Sequence, residues 1–309
     1  MRVFRGLERA RGSFCRPVLT IGNFDGVHRG HQVILDQVRA DADHHGTDAV
    51  ALTFFPHPLR VLRPDNAPRQ LMTLGDRLRA LADCGMDAVV VQWFSPAFAN
   101  IEAEVFVRDL LVGALDVHKL VVGHDINFGK GRSGSAETLL EAGESCGFSV
   151  EVIQPVAVGG EVVHSSVVRR AVADGDVTRA AGLLGRPWIL RGRTVRGDGR
   201  GGELGFATAN LLPATDLVPA DGVYATRALL AGQTLDGVTS VGNKPTFDGS
   251  ATVVETHLFE PQGELYDLPM GVQFVARLRG QVRFSSAEEL KQQVARDIED
   301  ARRALAEAG

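Results

Sequence analysis

A short apolar run that hands over to a helical pattern, several times in succession, constrains this chain more than any other feature. VLTIG (18–22) precedes HQVILDQVRADADHHG (31–46), and DAVALTFF (48–55) precedes GDRLRALADCG (75–85). DAVVVQW (87–93) precedes IEAEVFVRDLLVGAL (101–115), and VHKLVVG (117–123) precedes AETLLEAGESCG (136–147), before FSVEVIQPV (148–156). Alternating strand and helix over about 150 residues predicts a parallel, doubly wound sheet covered on both faces. Such a sheet binds ligands at the carboxyl ends of its strands. Two further helical stretches, SVVRRAVADG and DVTRAAGLLG, are expected to close this half near residue 184.

From Arg186 the texture changes to short β-like segments punctuated by glycine: WILRGRTV, GVYATRALLA, TLDGVTSVG, ATVVETHLF and VQFVARLRGQVRF. These predict a small antiparallel barrel. The chain then ends in one amphipathic helix, capped by Ser285 or Ser286, with Leu290, Val294, Ile298 and Ala301 at helical spacing. At 309 residues there is room for two domains, and the change of texture divides them into 1–184 and 185–309. The fold class is therefore α/β, a doubly wound domain followed by a small antiparallel β-barrel with a terminal helix.

A formal net charge of −5 argues against a protein that coats nucleic acid or an anionic membrane. No apolar run approaches the roughly 20 residues that span a bilayer, and MRVFRGLERARG lacks the apolar stretch of a signal peptide, so a cytoplasmic location is expected. Cys15, Cys84 and Cys146 are far apart, with no metal-ligand spacing, and are expected as buried free thiols.

The most informative string is GNFDGVHRGH (22–31), where the first strand turns into the first helix. Gly22, Gly26 and Gly30 allow a tight turn close to a ligand, and the helix start offers N–H groups and a positive dipole end. His28 and His31, three apart, share one face of the first turn and can donate to one phosphate. A helix cap with an ordinary surface histidine, or a metal-binding pair, are the other readings of the same residues. In HSSVVRR (164–170), Ser165, Ser166 and Arg169 make either a second anion site or a plain helix cap. PHP at 56–58 is rigid loop chemistry.

In the second half, Gly197, Gly199, Gly201, Gly202 and Gly205, with Gly192 upstream, form either a flap over a phosphate tail or a mobile surface loop. Thr208 and Asn210 are two apart, so on an extended segment both face one side and present a hydroxyl and an amide oxygen, which suit Mg²⁺. Glu255 lies inside the apolar run VVETHLF, either for a chemical purpose or on a solvent-facing strand side.

These strings, with TFFPHP (53–58), GHDINFGKGRSG (123–134), DGVYA (221–225), SVGNKPTF (240–247), VVETHLFE (253–260) and ELYDL (264–268), cover nearly the whole chain. They resemble, in order, the prokaryotic bifunctional riboflavin kinase/FMN adenylyltransferases, or FAD synthetases, whose first domain is a Rossmann-like nucleotidyltransferase.

The resemblance implies two activities: riboflavin and ATP giving FMN and ADP in the barrel, then FMN and ATP giving FAD and pyrophosphate in the α/β half. It implies that Gly22, Phe24, Asp25, Gly26, His28, Gly30 and His31 form the ATP site, with the two histidines holding phosphates. Asp125 would lie in the nucleotide pocket, and Ser165, Ser166 and Arg169 would grip the triphosphate. For the kinase it implies nucleotide and flavin contacts by Gly199, Gly201, Gly205, Thr208 and Asn210, Mg²⁺ on Thr208 and Asn210, and Glu255 as the base for the ribityl 5′-hydroxyl. The chain departs from the family's pattern at Asn127, where an arginine is usual, at His164, where a small residue is usual, and at Ala207, where a proline is usual. Asn127 and His164 motivate one alternative, a kinase with a weak adenylyltransferase domain; a flavin sensor that kept the folds without turnover is an alternative of another class.

Overall fold

A computed structural model describes residues 1–196, 208–246, 249–260 and 265–308. It forms two compact units, Met1–Pro68 with Leu74–His164, and Arg69–Thr73 with Ser165–Gly309.

The first unit is built on a six-stranded sheet. Its strands are β1 (Arg2–Arg5), β2 (Val18–Ile21), β3 (Ala49–Phe55), β4 (Ala88–Trp93), β5 (Lys119–Gly123) and β6 (Ser149–Ile153). The order is β1-β4-β3-β2-β5-β6, with every neighbouring pair parallel. All four residues of β2 are buried, as expected of a central strand covered on both faces. The helix Arg29–His45 follows β2 and buries Leu35, Val38 and Ala42, which recur at three and four residues.

Over Ile101–Leu115 the structure differs from one expected helix: a short turn at Ala103–Val105 leads into a π-helix at Phe106–Val112. Phe106 and Leu111, both buried there, are five residues apart, a spacing the wider π turn brings nearer to one face than an α turn does. A small hairpin, β7 (Ala157–Val158) with β8 (Glu161–Val162), follows the sheet.

In the second unit β9 (Trp188–Val195), β10 (Thr208–Pro213), β11 (Gly222–Leu230), β12 (Gln233–Thr246), β13 (Gly249–Leu258) and β14 (Pro269–Arg279) close into a barrel. Neighbouring strands are antiparallel, and β9 closes the ring by pairing with both β10 and β14. Thr226, Thr239 and Thr256 are fully buried and satisfy one another, with Oγ1–Oγ1 distances of 2.7 and 2.9 Å. The terminal helix Ala287–Glu307 is capped by Ser286 and lays Ile298, Ala301, Ala304 and Leu305 against Val223, Ala225 and Val238. Arg279 clamps it by two bonds to Asp297, Nε to Oδ1 at 2.8 Å and Nη2 to Oδ2 at 2.7 Å.

The two short helices Ser165–Ala173 and Val177–Leu184 group with the barrel rather than closing the first half. The second of them packs on β9 and β14, which explains its buried Val177, Leu183 and Leu184. A five-residue segment from the first half, Arg69–Thr73, also groups with the barrel, where Leu71 O accepts from the Trp188 indole N–H at 2.8 Å.

The cysteines are free but not buried. Cys15 and Cys146 are exposed and Cys84 is half-buried. Cys146 ends the helix Ala136–Cys146 and Cys84 directly follows the helix Leu74–Asp83, positions beyond the apolar stripe.

Candidate active sites

In the first unit the order of strands reverses at β2 and β5, and the segments leaving their carboxyl ends are GNFDGVHRGH and the loop that carries Asp125. That is the switch point where open α/β sheets bind ligands. The segment between β2 and the helix Arg29–His45 takes left-handed conformations at Phe24 (φ 48°), Gly26 (φ 91°) and Val27 (φ 41°). Glycine adopts such a φ freely, whereas a β-branched valine does so only where its surroundings impose it. Gly22 is needed for a different reason: a Cβ there would lie 3.0 Å from the Phe24 ring. That ring is buried and meets the His31 ring edge-on, with centroids 5.2 Å apart.

His28 is the N-cap of the helix, its Nδ1 accepting the His31 N–H at 3.3 Å. An accepting Nδ1 is unprotonated, which leaves Nε2 to carry the proton of the neutral ring as a donor. The helix cap and the phosphate contact are thus compatible roles for one imidazole. The His28 and His31 rings stack 3.6 Å apart with their planes 16° from parallel. Gly30 completes the pattern, since a Cβ there would stand 3.2 Å from the His28 ring. No acidic residue occupies the helix's first turn, so the positive dipole end is not cancelled. Among the described residues no group of three or more His, Cys, Asp or Glu is arranged to hold a metal ion.

Asp125 follows β5, its Oδ1 close enough to Gly123 that a Cβ there would meet it at 3.1 Å. Asn127 donates from Nδ2 to Asp125 O at 2.7 Å, so the residue standing where the family has arginine serves its own loop. His164, the second departure, brings Nδ1 within 4.0 Å of Asp125 Oδ2.

Beneath GNFDGVHRGH lies a residue that sequence reasoning passed over. Arg77, on the helix Leu74–Asp83, is 1% exposed and donates from Nη1 to Phe54 O at 3.0 Å and to Thr53 Oγ1 at 3.3 Å. The Thr53 hydroxyl in turn donates to Asn23 O at 3.2 Å. Burial lowers the Arg77 pKa, and the carboxylate of Asp25, itself 2% exposed, opposes that shift. The available signal was periodicity: Arg77 lies four residues before Leu81 on the buried stripe, where an arginine needs a charged partner. His57, in the PHP string, is buried and caps the helix Pro58–Leu62 through Leu59 N.

In the second unit, Ser165 and Ser166 open the helix Ser165–Ala173 and Arg169 follows about one turn on. On the barrel, β10 and β13 place Asn210 directly opposite Glu255, and Thr208 opposite His257. Thr208 Oγ1 donates diagonally to Glu255 Oε1 at 2.5 Å. Glu255 is half-buried rather than facing open solvent. One register therefore gathers the carboxylate, the hydroxyl and the amide. Gly199, Gly201, Gly205 and Ala207 lie outside the described residues.

The chain carries a two-histidine loop at the switch point of a parallel sheet and a carboxylate among oxygen donors on a closed barrel, and the families it matches are transferases of phosphorus-containing groups. Residues 12–167 match the FAD synthetase family and residues 184–305 the riboflavin kinase family. The chain is 40% identical over 301 residues to the bifunctional riboflavin kinase/FMN adenylyltransferase of Escherichia coli (strain K12), covering 96% of each. It is 32% identical to the protein of that name from Bacillus subtilis (strain 168), covering 93% of this chain and 92% of that one. A crystal structure described as a macrolide-efflux protein from Streptococcus pneumoniae superposes with a TM-score of 0.87 at 29% identity, covering 97% of this chain and 98% of the other. No helix among the described residues is long and apolar enough to cross a membrane. The chain belongs to the family of bifunctional riboflavin kinase/FMN adenylyltransferases.

Proposed function

We propose that residues 1–184 carry adenylyl transfer and residues 185–309 carry riboflavin phosphorylation. The enzyme converts riboflavin and ATP to FMN and ADP, then FMN and ATP to FAD and pyrophosphate. The observation that carries this reading is the pairing of two sites in one chain, each with the groups its own step requires. Neither step needs a covalent enzyme intermediate, because phosphoryl and adenylyl transfer depend on positioning and charge neutralisation.

For the adenylyl step, the loop Gly22–His31 receives the triphosphate of ATP. Its N–H groups and the Nε2 donor inferred for His28 meet the phosphate oxygens, and His31 supplies a second ring beside it. Phe24 and Gly22 shape the loop, Gly26 and Gly30 let it approach, and Asp25 belongs to the same ATP site. Asp125 borders the nucleotide, while Ser165, Ser166 and Arg169 form the second anion contact. The attacking phosphate of FMN is already an anion at pH 7, so this step asks for no general base.

Riboflavin's 5′-hydroxyl must lose a proton, and Glu255 is the group that takes it. Its bond from Thr208 holds the carboxylate in one orientation. The hydroxyl of Thr208 and the amide oxygen of Asn210, beside this carboxylate, are hard oxygen donors suited to Mg²⁺. When bound, the metal supplies neutralisation of the ATP phosphates. Gly199, Gly201 and Gly205, outside the described residues, are assigned contacts to nucleotide and flavin. The described residues contain no membrane-length apolar helix, in keeping with an enzyme of the cytoplasm.

Incubating the protein with riboflavin, ATP and Mg²⁺ and separating the flavins by chromatography tests the whole assignment. FAD is the expected product. FMN alone would leave a kinase with an idle first domain, and unchanged riboflavin would leave a flavin-binding protein without turnover.

A further inference from the structure

Glu255 stands in a row that crosses three strands. Asn210 on β10 is directly opposite it on one side, and Ser240 on β12 is directly opposite it on the other. Opposed residues of antiparallel strands share a face, with Cβ atoms about 4.5–5.5 Å apart. The alternating Thr239, Val241, Val254 and Thr256 are fully buried, whereas Ser240 and Glu255 are half-buried on the opposite face. Next in the row is Val223, which packs with the terminal helix, so this is the outer face of the barrel. Gln281, in the connector between β14 and that helix, donates from Nε2 to Ser240 Oγ at 3.0 Å and to Val241 O at 2.8 Å. Gly242 makes room for it, since a Cβ there would stand 3.1 Å from Gln281 Nε2. A hydroxyl that accepts one bond turns its own proton away from that donor. Among the described residues nothing accepts the Ser240 proton.

We propose that Ser240 is a substrate-binding residue of the kinase step: its hydroxyl, oriented by Gln281, donates to a secondary hydroxyl of riboflavin's ribityl chain. The proposal rests on Glu255 being the base and on Thr208 and Asn210 meeting the phosphate end. Those two donors lie on the β10 flank of Glu255, so the chain that carries the reacting 5′-hydroxyl leaves across the β12 flank, where Ser240 stands. Ser240 touches the substrate, and Gln281 is a positioning residue that acts through it. A site built to hydrogen-bond a substrate hydroxyl discriminates against an analogue that lacks it, because the donor is then left unpaired.

The test uses the full chain and two acceptors: riboflavin, and a flavin analogue with an unsubstituted hydroxyalkyl chain of the same length. The analogue keeps the reacting primary hydroxyl and lacks the secondary ones. Ser240→Ala is expected to lower kcat/KM for riboflavin about three- to tenfold, mostly through KM, with little change for the analogue or in the KM for ATP. Ser240→Thr keeps a hydroxyl and is expected to keep most of the wild-type preference for riboflavin. Gln281→Leu, on the exposed connector, removes the orienting donor and is expected to cost about two- to threefold of that preference. Since Gln281 acts through Ser240, Ser240→Ala/Gln281→Leu should lose no more than Ser240→Ala alone. Equal losses on riboflavin and the analogue in Ser240→Ala would make Ser240 a support of the barrel wall and overturn the proposal. Glu255→Gln run alongside separates this failure from the other: undiminished FMN formation there would remove the base reading itself.

Discussion

The two sites are assembled in opposite ways. The loop of the first unit draws most of its residues from one run of ten, Gly22–His31, at a strand-to-helix junction. In the barrel, Thr208 and Glu255 are 47 residues apart and meet only because β10 and β13 pair in one register. A local site is fixed by backbone conformation, and its weak point is strain. A register site is fixed by the pairing of two strands, where a slip of one residue would turn Glu255 to the opposite face. The two sites are expected to fail independently.

The largest expected effect is on the register site. Glu255→Gln keeps the size and hydrogen-bonding capacity of the side chain but removes the basic carboxylate, so conversion of riboflavin to FMN should fall 10²- to 10⁴-fold in kcat. Conversion of supplied FMN to FAD should be almost unchanged. Steady-state rates with each flavin check both halves of the statement, and a variant retaining more than about a tenth of the kinase rate would remove Glu255 from its role as base.

His31→Ala makes the reciprocal break. It removes a ring stacked on His28 and is expected to lower FAD formation by about 2–4 kcal/mol in transition-state terms, by analogy with loss of an oxyanion donor. FMN formation should stay within a few-fold of wild type, and the same assay run with riboflavin measures it. Parallel loss of both activities would mean that the histidine supports the fold rather than the phosphate.

Much of this contrast was legible in the sequence, and the parts that were not have identifiable causes. The parallel sheet, the barrel and the terminal helix follow from periodicity, and β2 to β6 lie where apolar runs place them. β1 escaped because Arg2–Arg5 is an exposed edge strand with little apolar pattern. The π turn at Phe106–Val112 escaped because its residues suit an α-helix equally well. His28 and His31 could be named from their spacing, but how Gly30 makes room for the His28 ring appears only in three dimensions. Arg77 was hidden by distance along the chain: nothing near it in sequence announces the Thr53 and Phe54 it bonds.

The short helices after the hairpin give the third prediction. Val177, Leu183 and Leu184 are buried in the helix that packs on β9 and β14, so a fragment starting at 185 bares part of the barrel wall. A fragment of residues 165–309 should be more stable than one of residues 185–309 by about 2 kcal/mol or more, from restored apolar burial. Urea unfolding of both fragments measures the difference. Equal midpoints would show that these helices contribute nothing to the barrel, despite their packing.

The smallest expected effect lies at the amino ends of the strands, the edge of the first unit opposite the loop Gly22–His31. Asp87 precedes β4 and its Oδ2 accepts from Ala49 N at 2.9 Å and from Arg39 Nη1 at 2.6 Å, tying β3, β4 and the helix Arg29–His45 together. Burial pushes the Asp87 carboxyl up, but the Ala49 N–H and the Arg39 guanidinium more than reverse this and hold it below the ordinary carboxylate range. A carboxyl whose pKa is lower in the folded chain stabilises the fold above its unfolded value, about 3.9, and loses that contribution as pH falls through the folded value. Asp87→Asn should therefore destabilise the first unit at pH 7 and matter progressively less below about pH 4. With the Asp87 side chain 43% exposed, solvent screens the pair, and a loss of about 0.5–1 kcal/mol is expected. In a unit of this size that lowers the melting temperature by about 1–4 °C. Melting of wild type and variant across pH 3 to 7 reads the effect (~4 pH units across the carboxylate range), and FAD formation at 25 °C should not change. A gap that stays constant down to pH 3 (~1 unit below the unfolded carboxyl) would assign the stabilisation to packing rather than to the charge.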